Sequence, residues 1–326
     1  MLLIGDGMGL AQMYAGYTAL VGQLNIFNFR NIGLSKTASA DSYITDSAAG
    51  ATAMATGQKT KNRYVGVDST GRRLTPIPDL INALKMKTAI ISAGDITDAT
   101  PASFYAHQSE RSLSEAIAAD FLNSPVDILI GSNSSAFIER QDSHNLFTLL
   151  QQKGYQTSTR LATFSKPLAG KMVVLDTTAM LSEAKGRAEF LKKALQLSLQ
   201  NLGKNKAGFF IMAEGAQIDH GGHENNLPYV VQEMLDFDQV VGEAMRFADE
   251  NGETLVIVTA DHETGGLSLL EGSVNQGYVA SNFSTKGHSA IPVPVFAYGP
   301  HSLDFRGVYE NTALFDKIMQ IIKKYH

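Results

Sequence analysis

Short, mostly apolar runs recur along the chain between segments of helical pattern. They are rich in β-branched residues and do not alternate with polar ones, which is typical of strands covered on both faces of a parallel sheet. Because the first run is shorter than an ordinary core strand, we expect the native chain to begin further upstream, with a leader segment. The predicted strands are Leu2–Ile4, Thr88–Ser92, Asp127–Ile130, Met172–Leu175, Phe209–Ala213, Leu255–Thr259 and Val293–Ala297.

Two segments carry apolar stripes with the period of an amphipathic helix. The first stripe comprises Val230, Met234, Phe237, Val241, Ala244 and Ala248, with Glu233, Asp236, Gln239, Glu243 and Arg246 on other faces, and the second comprises Ala188, Leu191, Leu195, Leu199 and Leu202. Alternating strands and helices predict an α/β fold, a three-layer sandwich with a central mainly parallel sheet and helices on both faces. No repeat or clear linker interrupts this pattern, so we expect residues 1–326 to form one domain.

The composition narrows the classes of protein to consider. A hydrophobic content of 44% over 326 residues is ample for a large core. With 27 basic and 32 acidic residues the net charge is −5, which provides no basic surface for nucleic acid or an anionic membrane. The chain has no cysteine, so disulfides and thiolate metal sites are excluded. No apolar run approaches the ~20 residues of a membrane-spanning helix.

Acidic residues follow several of the predicted strands. Asp6, Asp98, Glu214 and Asp261 all stand at or shortly after the end of an apolar run. In such sheets ligands bind beyond the carboxyl ends of the strands, so we expect these side chains to converge. Four neighbouring carboxylates repel one another unless cations neutralise them, which indicates bound metal. The alternative for any one acid is that it caps a helix or lies in a solvated loop.

Histidines stand beside these acids. His262 follows Asp261 directly, Asp219 and His223 are four residues apart, and His288 precedes the last predicted strand. Mixed histidine and carboxylate ligands suit zinc, whereas an all-oxygen set suits magnesium. The candidates for the all-oxygen set are Asp6, Thr100 and Glu214.

Two further residues could bind phosphate. Ser47 lies in a run of small, helix-compatible residues, near a predicted helix N-terminus, where free amides and the helix dipole favour a phosphate group. The alternative is that Ser47 only caps that helix. The planar guanidinium group of Arg111 could bind two phosphate oxygens, although an isolated arginine there is more often solvated.

The segment Gly5–Gly9 begins like a dinucleotide-binding loop, but Leu10 stands where that fingerprint requires glycine.

Together these segments resemble the motifs of the bacterial alkaline phosphatases over nearly the whole chain, from Gly5 to Pro300. The motifs are long and specific, and the resemblance implies the fold of that family. Because only 25 residues lie between His262 and His288, we expect no large crown insertion. The matching segments are Gly5–Gly9, Thr45–Ala49, Thr97–Pro101 with Arg111, Glu214–Asp219 with His223, Thr259–His262, and Gly287–His288.

The resemblance also implies two zinc ions and one magnesium ion. It assigns Asp219, His223 and His288 to the first zinc, Asp6, Asp261 and His262 to the second, and Asp6, Thr100 and Glu214 to magnesium, with Asp98 ordering the magnesium-bound waters. Arg111 would clamp the phosphate, steadied by Asp46. His220 stands at a position where relatives vary among residues that tune phosphate contacts, so it is a candidate phosphate-binding residue.

The implied activity is hydrolysis of small phosphate monoesters over a broad range, releasing inorganic phosphate and an alcohol through a phosphoserine at Ser47. Metal, and no histidine base, would activate this serine. The resemblance further implies a periplasmic or secreted protein and a homodimer. Two alternatives remain: a sulfatase or phosphodiesterase of the same superfamily, although the sulfatase Pro and Arg are absent after Ser47, and a non-catalytic phosphate or metal binder.

Overall fold

The computed structural model describes residues 1–164 and 170–326. The strands are β1 Leu2–Gly5, β2 Asn31–Lys36, β3 Lys87–Asp95, β4 Ile128–Ser132, β5 Tyr155–Ser158, β6 Lys171–Leu175, β7 Phe209–Gly215, β8 Val256–Thr259, β9 Glu263–Thr264, β10 Leu267–Ser273, β11 Tyr278–Phe283, β12 His288–Ser289, β13 Val293–Tyr298 and β14 Gly307–Glu310. The α-helices are α1 Leu10–Ala19, α2 Ser47–Thr56, α3 Ile77–Asn82, α4 Ala99–Ala102, α5 Ser114–Asp120, α6 Ser135–Ile138, α7 Leu146–Gln152, α8 Phe190–Leu202, α9 Gln217–His223, α10 Leu227–Asn251 and α11 Thr312–Tyr325.

Ten strands form one central sheet in the order β14-β2-β13-β8-β1-β7-β3-β4-β6-β5. Only β13 runs antiparallel to its neighbours, β2 and β8, within the described part of this sheet. Each predicted strand overlaps one of these ten, with ends that differ by up to three residues. The pairs β10–β11 and β9–β12 form two small sheets outside it. The prediction of a mainly parallel α/β sheet is therefore confirmed.

Helices cover both faces of the sheet because successive side chains of its strands point in opposite directions. Leu3 belongs to a buried cluster with Val241, where α8 and α10 lie. Its neighbour Ile4 belongs to the cluster on the other face, together with Met54 of α2 and Leu314 of α11. All of these side chains are shielded from water. The sheet is thus the middle of three layers, as the apolar runs predicted.

The two predicted helices are present, with one correction. The whole stripe Val230–Ala248 lies within α10. The second stripe begins at Ala188, but α8 begins only at Phe190. Ala188 and Glu189 have φ values of 46° and 56°. These values lie in the left-handed region of the backbone map, so neither residue can be part of a right-handed helix. Helical spacing alone therefore placed the start two residues too early.

A buried charge cluster joins α10 to the segment before α8. Arg187 is only 2% exposed, and its Nη2 donates to Glu233 and to Asp236 Oδ2, the latter at 2.7 Å. Its Nη1 donates to the Leu181 carbonyl oxygen at 2.9 Å. Glu233 and Asp236 therefore do not form a solvated polar face of α10. Their burial depends on the arginine, because an unpaired buried charge is costly.

Candidate active site

Ser47 is the first residue of α2 and is 4% exposed. Asp46 caps this helix, because its Oδ1 accepts a hydrogen bond from the Ala49 amide at 3.0 Å. The capping role considered for Ser47 is therefore taken by Asp46, which leaves the serine hydroxyl free to face the strand ends. Ser47 Oγ lies 3.2 Å from His262 Nε2.

The strand-end acids converge as expected from the sheet order. Glu214 lies opposite Ile4 in β1 and opposite Ser92 in β3. The Ser92 hydroxyl donates to Glu214 Oε2. Asp6 follows β1, and its Oδ2 accepts a hydrogen bond from Thr100 Oγ1 at 3.4 Å. Asp6, Thr100 and Glu214, the candidate all-oxygen set, are thus neighbours at one edge of the sheet.

Asp219, His223 and His288 form one cluster of possible metal ligands. His223 Nε2 lies 3.2 Å from Asp219 Oδ2, and His288 Nε2 lies 3.7 Å from Asp219 Oδ1. The two Nε2 atoms are 3.3 Å apart. Each Nδ1 instead faces a backbone carbonyl, that of Lys286 for His223 and that of Thr45 for His288. Donation from Nδ1 to those carbonyls leaves both Nε2 lone pairs facing one point, an arrangement that suits a cation.

A second cluster surrounds His262, which is fully buried. Its Nε2 lies 3.2 Å from Asp261 Oδ2 and 3.6 Å from Asp6 Oδ1. Both of these carboxylate oxygens are buried and have no hydrogen-bond partner in residues 1–164 and 170–326. Ligand atoms of Asp6, Asp219 and His262 also lie within 4.8 Å of one another. Unpartnered oxygens around a histidine nitrogen fit a bound cation, and Asp219 lies between the two clusters.

The pKa shifts indicate that burial disfavours the charged forms of several of these side chains, while Asp219 favours the charged form of His223. Burial raises the pKa of Glu214 to about 8. Burial also raises the pKa of Asp6 well above its usual range, and the neighbouring Asp261 adds to this effect. Burial lowers the pKa of His288 to about 4, whereas the hydrogen bond to Asp219 raises the pKa of His223 to about 9.

Arg111 forms ion pairs with two carboxylates of the site, Asp46 and Asp98. Its Nη1 donates to Asp46 Oδ2 at 3.2 Å and its Nη2 donates to Asp98 Oδ1 at 2.9 Å. Burial opposes the guanidinium charge, but Asp98 and Asp46 outweigh it and raise the pKa of Arg111. Asp98 also caps α4 by accepting from the Ala99 amide at 2.7 Å. The two acids hold a planar cation at a fixed angle, and such a cation can bind two phosphate oxygens.

Two features of the site differ from what the sequence indicates: the surroundings of His220, and contacts made by residues that sequence reasoning missed. His220 is half-buried in α9, and its ring makes no hydrogen bond within the described residues. The missed residues are Ser92, which binds Glu214, and Glu263 and Thr264, which directly follow the metal-ligand candidates Asp261 and His262 in sequence. For Glu263 and Thr264, the position next to those ligands was the available signal.

The family model for alkaline phosphatase matches residues 1–281. The chain belongs to the alkaline phosphatase family. It is similar to alkaline phosphatase 4 of Bacillus subtilis, at 28% identity over 99% of this chain and 88% of that protein. It is also similar to the solved alkaline phosphatase of the Antarctic bacterium TAB5, at 42% identity and a TM-score of 0.93 over 99% of this chain and 96% of that one.

A variant of the TAB5 enzyme, solved with Mg bound in the M3 site, matches this chain at 40% identity and a TM-score of 0.93, over 99% of this chain and 96% of that one. The resemblance inferred from the motifs is thus confirmed, as is the assignment to the alkaline phosphatases. Family membership supports phosphomonoesterase activity and metal cofactors. Among the described residues, no helix combines the length and apolar character needed to cross a membrane.

Proposed function

We propose that this chain hydrolyses small phosphate monoesters over a broad range, in a metal-dependent reaction that passes through a phosphoserine at Ser47. The products are inorganic phosphate and an alcohol. One observation carries this proposal: Ser47 Oγ lies 3.2 Å from His262 Nε2, beside buried Asp6 and Asp261 oxygens that lack partners in the described residues. A serine in such surroundings is suited to attack phosphorus with a cation nearby.

The proposed cations are two zinc ions and one magnesium ion. Histidine and carboxylate together suit zinc, whereas oxygen ligands alone suit magnesium. The Mg bound in the M3 site of the TAB5 variant supports the magnesium assignment. We assign Asp219, His223 and His288 to one zinc, Asp6, Asp261 and His262 to the other, and Asp6, Thr100 and Glu214 to magnesium, with Asp98 ordering its waters.

The chain's own residues account for attack and binding. The Ser47 hydroxyl gives its proton to solvent and Oγ attacks phosphorus. The Oγ–P bond forms, the bond from phosphorus to the alcohol oxygen breaks on the opposite side, and the departing alkoxide takes a proton from water. A water oxygen then bonds to phosphorus, the P–Oγ bond breaks, and Ser47 Oγ regains a proton as inorganic phosphate leaves. Arg111 and the amides at the start of α2 hold the phosphate oxygens, and His220 provides a further phosphate contact. When bound, the cations supply positive charge that stabilises the serine alkoxide and the departing oxygen.

Two broader expectations belong to this proposal. Residues 1–326 form one catalytic domain without a large crown insertion, since the short span between His262 and His288 contains only the strands β9, β10 and β11 and one short 3-10 helix, Val274–Gln276. The site is therefore open to substrates that differ in their alcohol group. We also propose a periplasmic or secreted location and a homodimer, both by analogy with the family.

The test compares p-nitrophenyl phosphate, bis-p-nitrophenyl phosphate and p-nitrophenyl sulfate as substrates, with and without a chelator. We expect the monoester to be preferred, the chelator to abolish turnover, and zinc with magnesium to restore it. Ser47→Ala should remove monoester turnover, whereas Ser135→Ala, a change at an exposed serine, should not. Preference for the diester or the sulfate would contradict the proposed substrate class, and phosphate binding without turnover would indicate a non-catalytic binder.

A further inference from the structure

The hydroxyl of Thr264 lies between the two clusters of proposed metal ligands. Its Oγ1 donates to Asp219 Oδ1 and lies 3.2 Å from His262 Nδ1. The side chain is fully buried. We propose that Thr264 is a positioning residue that holds His262 in the tautomer with its proton on Nδ1 and its lone pair on Nε2. The consequence for metal binding rests on the proposed function, but the tautomer itself does not.

Counting protons decides which nitrogen carries the hydrogen. The Thr264 hydroxyl has one proton, and an ionised carboxylate such as Asp219 can only accept. The threonine proton therefore lies toward Asp219. His262 Nδ1 must then donate to Oγ1, because two lone pairs would otherwise face each other at 3.2 Å. With the opposite tautomer, the Thr264 hydroxyl would have to donate its proton to His262 Nδ1. Thr264 Oγ1 and Asp219 Oδ1 would then be in contact with no hydrogen between them.

The surroundings of Thr264 fix this orientation. Its amide donates to the Gly7 carbonyl at 3.2 Å, and its own carbonyl accepts from Gln12 Nε2 at 2.8 Å. A Cβ on Gly7, whose φ is +71°, would lie 2.7 Å from Thr264 Oγ1. A Cβ on Gly222 would lie 2.8 Å from Thr264 Cγ2. Glycine at both positions leaves the room that the threonine side chain occupies, and the hydrogen bonds of its amide and carbonyl hold its backbone in place.

The fixed tautomer matters at the other ring nitrogen. His262 Nε2 is the atom that faces Ser47 Oγ and the unpartnered oxygens of Asp6 and Asp261. A neutral imidazole binds a metal through a nitrogen that carries a lone pair, and the hydrogen bond at the other nitrogen selects it. Partners of this kind typically contribute a factor of about 10–100 in metal affinity. One hydroxyl thus couples Asp219 of one cluster to His262 of the other.

The experiment uses the full chain labelled with 15N-histidine, metal-free, with His262 assigned by comparison with His262→Asn. Two-bond 1H–15N spectra are recorded at a pH at which the His262 ring is neutral. We expect the proton on Nδ1 and the lone pair on Nε2. A wild-type spectrum with the proton on Nε2 instead overturns the proposal, whatever the variants do.

The matched variants are Thr264→Val, which keeps the shape and removes the hydroxyl, and Thr264→Ser, which keeps the hydroxyl. Zinc affinity, measured by competition with a chromophoric chelator, should fall about 10–100-fold in the valine variant and stay near wild type in the serine variant. Equal zinc affinity in all three proteins would also overturn the proposal. Absence of any hydrolysis would contradict the proposed function alone, because the spectra require no turnover.

Discussion

Replacing Arg111 by lysine keeps the positive charge but removes the planar fork that two carboxylates hold in place. Arg111 Nη1 binds Asp46 and Nη2 binds Asp98. Each of these nitrogens carries two hydrogens, so each retains one that can reach a phosphate oxygen. A lysine ammonium has only three donors on a single atom and cannot satisfy both acids while also gripping two phosphate oxygens.

The size of the effect follows from the hydrogen bonds to phosphate that the replacement side chain cannot form. A hydrogen bond to a charged group contributes about 1.5–3 kcal/mol. Arg111→Lys should lack one such bond, which corresponds to a factor of about 10–150 in kcat/KM, since about 1.4 kcal/mol is tenfold. Arg111→Ala lacks both bonds and should therefore be impaired by about the square of that factor.

The assay measures kcat/KM for p-nitrophenyl phosphate and the inhibition constant of inorganic phosphate. Arg63→Lys is the matched control, because Arg63 is exposed and pairs with Glu110 at the surface near Arg111. We expect this control to stay within about twofold of wild type, as exposed pairs contribute little. If Arg111→Lys left both kcat/KM and phosphate inhibition unchanged, the clamp assignment would be wrong.

Two further predictions concern stability. In the metal-free protein, burial raises the pKa of Glu214 from 4.5 to about 8, so the folded state binds this proton more tightly than the unfolded chain does. The resulting stabilisation is fully present below pH 4.5 and is lost as pH rises to about 8. Glu214→Gln should therefore become increasingly more stable than wild type from pH 5 to 8 in urea unfolding, and a constant difference would contradict this. Arg187→Met leaves the buried Glu233 and Asp236 without their partner, so we expect it to cost about 3–5 kcal/mol of unfolding free energy. The control Arg72→Met, at an exposed ion pair, should cost about 1 kcal/mol or less, and an equal loss in both variants would contradict the role of the buried cluster.

The central strands were predictable because burial on both faces requires apolar side chains at consecutive positions. Strand β2 was missed because Asn31–Lys36 mixes polar with apolar residues and is only partly buried. The hairpin β10–β11 is also largely exposed, so no apolar run marks it. The first residue of α8 was misplaced because left-handed backbone at Ala188 and Glu189 is invisible to helical spacing.

The site was predictable to the extent that sheet topology determines it. Strand ends bring Asp6, Glu214 and Asp261 to one edge, and an apolar run followed by an acid is visible in sequence. The position of Thr264 between Asp219 and His262 depends instead on how β9 pairs with β12 and packs against α9. No local pattern encodes such a contact, so only the folded chain reveals the hydroxyl that joins the two clusters.

The most direct test of the central claim is to trap and map the phosphorylated residue. The metal-loaded enzyme is mixed with 32P-labelled phosphate monoester, quenched in acid, digested and analysed by mass spectrometry. We predict an acid-stable label on the peptide that contains Ser47, and no label in Ser47→Ala. A label on another residue, or an acid-labile one of the kind expected for His262, accompanied by normal turnover, would contradict the account.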